Sequence, residues 1–150
     1  MKEQKPPFAP LVKHENSIIE NYRELSDQAA QSNIQYFLNL FVRGHQEIVR
    51  MLKSYGKKSQ ERFMERNLPQ SIWATQHLVL DEEIDINSLQ SVLLHIAKAE
   101  EQSVGEFSVL MEEVKDRKAH EFLDKVREQK VSLITQADRL YHDMIESKIS

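Results

Sequence analysis

Core-type side chains in this chain recur on one helical spacing in two copies 85 positions apart, with Leu11 answering to Ile96. The first copy runs Leu11, Glu15, Ile18, Tyr22, Leu25, Ala29, and the second runs Ile96, Glu100, Ser103, Phe107, Leu110, Val114. The helices that follow match as well. Ile34, Leu38, Phe41, His45, Ile48, Leu52, Tyr55 pair in order with Ala119, Leu123, Val126, Lys130, Leu133, Ala137, Leu140. Steps of three and four keep side chains on one stripe of a helix, so each copy reads as two amphipathic helices. The polar joint Gln31-Ser32-Asn33 and the turn Lys115-Asp116-Arg117 are short, which makes each pair an antiparallel hairpin.

The expected architecture is all-α. Helix boundaries are about 11–29, 32–55, from just after 85–88 to 114, and from the turn to about 145. Residues 1–10 read as an N-terminal arm, because Lys5-Pro6-Pro7 is too extended for helix. Residues 11–150 read as a single four-helix bundle domain, with Gly56 as a stop signal and a crossover over about 57–85. That crossover breaks the seam. It allows a short helix through Arg62, Phe63 and Met64, then passes Pro69 into Ile72-Trp73-Ala74. Trp73 and Phe63 need burial along the bundle surface or in a partner-binding patch. Hairpin, long crossover, hairpin is the order associated with ferritin-like folds.

Composition narrows the chemistry. The absence of Cys removes disulfides, thiolate ligands and Cys nucleophiles, and fits a reducing compartment. Net charge is −4, so no general attraction to nucleic acid is expected. The basic group Lys53, Lys57, Lys58, Arg62, Arg66 is interleaved with Glu61 and Glu65 and reads as a solvated face. With neither an apolar signal core nor an apolar run of ~20 residues, the expected location is cytoplasmic, with no membrane partner. A homodimer through a helix face or the crossover is compatible with this pattern. No phosphate loop, serine-nucleophile elbow or zinc-protease motif is present.

Four inward positions carry titratable groups: Glu15, His45, Glu100 and Lys130. Around them, SIIENYRELSDQA with YFLNLFVRGHQEIVRMLKSY, and HIAKAEEQSVGEFSVLMEEV with HEFLDKVREQKVSLITQADRLY, resemble the rubrerythrin-type members of the ferritin-like superfamily. The shared pattern is a Glu seven residues before an aromatic, followed by a helix dense in Phe, Leu and acidic residues, twice over. The resemblance implies a di-iron scaffold with a lone Glu on the first helix of each hairpin and a Glu-x-x-His on the second. Glu15 and Glu100 match the lone Glu positions. His45-Gln46-Glu47-Ile48 and Lys130-Val131-Ser132-Leu133 stand where the two Glu-x-x-His motifs belong, so the di-iron motif is degenerate.

Two divalent ions need several oxygen donors and His nitrogens, and an ammonium at the same level repels them. The first reading is therefore a metal-free, non-catalytic bundle with no cofactor. In it Lys130 lies between Glu15 and Glu100, His45 completes a buried polar network, and the protein serves as a structural or interaction module. The alternative is a rubrerythrin-type oxidoreductase with a mononuclear iron, manganese or zinc site on Glu15, His45 and Glu100, from which Lys130 snorkels away. A plainer reading turns the charged heads outward by a small helix rotation. Tyr22 is placed to hydrogen-bond Glu15, whereas its counterpart Phe107 lacks the hydroxyl. His95 and His120 read as surface or boundary residues.

Overall fold

A computed structural model describes residues 8–55 and 84–149, and the described residues form four α-helices. These are α1 (Ala9–Gln28), α2 (Ser32–Ser54), α3 (Leu89–Glu112) and α4 (Arg117–Ile149). The seam positions lie inward as their spacing predicts, with only Leu25, Tyr55 and Leu140 half-buried. Trp73, Phe63, the expected helix around Arg62 and most of the basic group fall outside the described residues.

Local chemistry fixes the helix ends. Ser88 caps α3 by accepting from the Ser91 amide at 3.1 Å, and Asp116 caps α4 by accepting from the Ala119 amide at 2.9 Å. At the start of α1 the boundary differs from expectation, because the helix begins at Ala9 with Pro10 in its first turn. Phe8, assigned to the arm, is fully buried with φ 59°, a left-handed conformation costly for a bulky residue. Its ring lies 5.2 Å from that of Tyr55 and 5.9 Å from that of Phe122, an aromatic plug whose burial offsets the strain. At the other terminus α4 runs to Ile149, past the expected stop near 145.

Contacts between helices set their directions. The Phe8–Tyr55–Phe122 cluster brings together the start of α1, the end of α2 and the start of α4. At the opposite end Gln31, in the α1–α2 joint, donates to the Asn87 carbonyl just before α3 at 3.0 Å. Thus α2 and α3 begin at the same end and run parallel, as do α1 and α4. Tyr55 and the residues that lead into α3 therefore lie at opposite ends of the bundle. Among the described residues, no helix is long and apolar enough to cross a membrane.

Candidate functional site: a buried ion network

Each helix contributes one charged side chain to the middle of the bundle. Glu15 from α1, His45 from α2 and Lys130 from α4 are 0 % exposed, and Glu100 from α3 is 1 % exposed. The spacing that makes each an inward seam position therefore also makes them neighbours, and none of the charged heads turns outward. Burying four such groups is tolerated only if they satisfy one another.

His45 sits between the two carboxylates. Its Nδ1 is 2.5 Å from Glu15 Oε1 and its Nε2 is 2.7 Å from Glu100 Oε2. A neutral imidazole carries one N–H, so two acceptors at the two nitrogens call for the doubly protonated ring. Burial pulls His45 down, but the charges of Glu100 and Glu15 and their hydrogen bonds outweigh it and hold the ring up at about 9. Burial likewise raises Glu15. The Lys130 and His45 charges, the His45 hydrogen bond and His14 overcome it and keep the carboxyl far below its usual range.

Lys130 donates to Glu15 Oε2 and, at 2.7 Å, to Ser103 Oγ, and its ammonium lies 5.4 Å from the Phe107 ring centre. The expected roles are thus exchanged: His45, not Lys130, bridges the carboxylates. The chain length of lysine carries its head past the midline toward α1, while the shorter imidazole on α2 spans the gap. Two carboxylates face one imidazolium and one ammonium, so the core carries balanced charge.

Tyr22 also departs from expectation. Its hydroxyl donates to Glu100 Oε2 at 2.7 Å, not to Glu15. Seven residues along one helix is ~10.5 Å of rise, too far for a direct bond, whereas the antiparallel α3 brings Glu100 level with it. Burial, then the Glu100 charge and hydrogen bond, pushes Tyr22 well above its ordinary value, so it remains a donor. The other Glu100 oxygen, Oε1, is buried with no hydrogen-bond partner.

The network extends through residues that the seam pattern does not reach. His14 is buried, with Nε2 3.3 Å from Ser103 Oγ and 3.8 Å from Glu106 Oε1. Its signal in the sequence was present but faint: it lies one position beside the seam, within the wider stripe a four-helix bundle covers. His95 is buried too, which corrects its assignment to the surface or boundary, since α3 also buries Val92, Leu93 and Ala99 on that flank. His120 lies at the boundary as expected, 4.0 Å from Asp124.

These positions constrain the chemistry. The two nitrogens of His45 diverge, each toward a different carboxylate, so Glu15, His45 and Glu100 do not converge on one point. The Lys130 ammonium already occupies Glu15, so these side chains are directed at one another. Among the described residues no group of three or more His, Asp or Glu side chains is arranged to hold a metal. Ser103 with His14 and Glu106 does not form a nucleophilic triad. Ser103 is buried and already accepts from Lys130, and Glu106 approaches the same His14 nitrogen that faces the serine. No protein-family model matches the chain, and no curated protein or solved structure matches it significantly.

Proposed function

We propose that this chain is a non-catalytic, metal-free bundle of ferritin-like, rubrerythrin-like type, acting as a structural or interaction module. An ion network replaces the metal pair at its centre. The observation that carries this reading is His45 held between Glu15 and Glu100 with Lys130 on Glu15, because the positive charge a metal would bring to the two carboxylates comes from side chains. The ferritin-like assignment draws on the parallel α2 and α3, with the end of α2 and the start of α3 at opposite ends of the bundle. In this role the network holds the two hairpins in one register: Glu15 and His45 belong to the first hairpin, and Glu100 and Lys130 to the second.

Elemental analysis of the full chain, purified without chelator and then offered Fe(II), Mn(II) and Zn(II) in turn, tests the reading. The expected result is no stoichiometric metal in either preparation. Retention of about one ion per chain, abolished by His45→Ala, would overturn it in favour of a mononuclear oxidoreductase.

A further inference from the structure

The network meets the protein surface at Glu106. This residue on α3 is 22 % exposed and accepts from Gln102 at 3.1 Å through Oε2. Its other oxygen, Oε1, is buried without a hydrogen-bond partner, 3.8 Å from His14 Nε2. That separation is close enough for an ion pair and too long for a hydrogen bond. Ser103 Oγ, 3.3 Å from the same nitrogen, accepts from Lys130, which leaves the serine hydroxyl proton free to be donated to His14. One imidazole nitrogen thus faces a donor and an unsatisfied anionic acceptor at once. Its protonation decides which of the two it serves.

We propose that His14, Ser103 and Glu106 form a pH-responsive contact between α1 and α3. With His14 neutral, Nε2 accepts from Ser103. With His14 protonated, Nε2–H donates to Glu106 Oε1, supplying the partner that oxygen lacks and drawing α1 onto α3. The inference rests on the metal-free reading, because a cation at Glu15 would repel a protonated His14.

His14 joins a network drawn from all four helices. Glu15 on α1 and Glu106 on α3 favour its proton, Lys130 on α4, held on Glu15 and Ser103, opposes it, and His45 on α2 with Glu100 on α3 lies behind Glu15. With His14 charged, three carboxylates face three cations, so the protonated state also leaves the interior balanced. Burial raises Glu106 above its ordinary range against the pull of Gln102 and Lys130, so the paired state ends on the acid side when Glu106 itself takes a proton.

The test is a titration of the six histidine rings of the full chain, labelled with 15N, in wild type, Glu106→Gln and Ser103→Ala. His14 is assigned by its loss in His14→Gln. Glu106→Gln removes the anion, and the His14 midpoint moves to lower pH. Ser103→Ala removes the donor to the neutral ring, and the midpoint moves to higher pH. Opposite shifts support the contact; an unmoved midpoint in Glu106→Gln, or shifts of the same sign, would overturn it. Glu106 is partly exposed, so its variant is expected to keep the wild-type fold, which circular dichroism checks. Metal found by elemental analysis in the same samples would refute the reading beneath this inference, and the titration alone decides the contact itself.

Discussion

Lys130 is the residue on which the interior depends most. Its ammonium is fully buried and holds Glu15, Ser103 and the face of Phe107 together. Lys130→Met keeps most of the volume but leaves Glu15 with His45 as its one remaining direct donor, so a net negative charge stays in the core. Removing one member of a buried ion group typically costs ~3–5 kcal/mol. We expect a loss of that order in urea unfolding, and an unchanged midpoint would rule out a buried network. Should the single variant fail to fold, replacing Glu15, His45, Glu100 and Lys130 together by apolar residues provides the check. That change should restore folding and be neutral or stabilising by ~1–4 kcal/mol, because no charge is then left unpaired. The inward placement of these four residues was legible from matching seam positions. Their partners were not, because spacing along one helix does not report how far a lysine or an imidazole reaches across to another. The Tyr22–Glu100 bond, joining positions on α1 and α3, is the clearest instance.

At the scale of a helix, the two described glycines separate propensity from packing. Gly105 is exposed in the middle of α3, and a Cβ built there meets nothing within 4 Å. Gly105→Ala should therefore stabilise by ~1 kcal/mol, the full difference in helix propensity. Gly44 lies on α2 beside His45, where a Cβ would come within 2.7 Å of Leu133 Cδ2 on α4. The same gain in propensity at Gly44→Ala is offset by displacing Leu133, so its melting temperature should rise less than that of Gly105→Ala. Equal rises in the two variants would show that α2 and α4 have room to spare at the network. The helices themselves were readable because period and caps agree, with Ser88 and Asp116 where turn chemistry places them. The start of α1 was not. The prolines argued for an extended arm, but burial of the Phe8 ring against Tyr55 and Phe122 outweighed the local backbone preference.

For the whole molecule, the network couples folding to pH with a definite sign. His45 has an ordinary value of 6.5 and is held at about 9 in the fold, so its contribution is complete below pH 6.5 and is lost as the pH rises through about 9. Glu15 is lowered from 4.5, so its contribution is complete above about pH 4.5 and is lost as the pH falls toward the folded value. Both contributions are whole between about pH 4.5 and 6.5, and stability should be greatest on that mildly acid side. The His45 displacement corresponds to on the order of 3 kcal/mol, a large share of the ~5–15 kcal/mol that holds a domain of this size. Urea unfolding of the wild-type chain from pH 5 to 9.5 should therefore show a stability that declines above pH 6.5. His45→Gln lacks that titrating ring, so it should start lower and decline much less over the same range. The two curves should converge at the alkaline end, where the wild-type His45 has given up its proton and both cores hold two carboxylates against one ammonium. Parallel curves would show that the alkaline loss arises elsewhere and that His45 is not the cation joining the two hairpins.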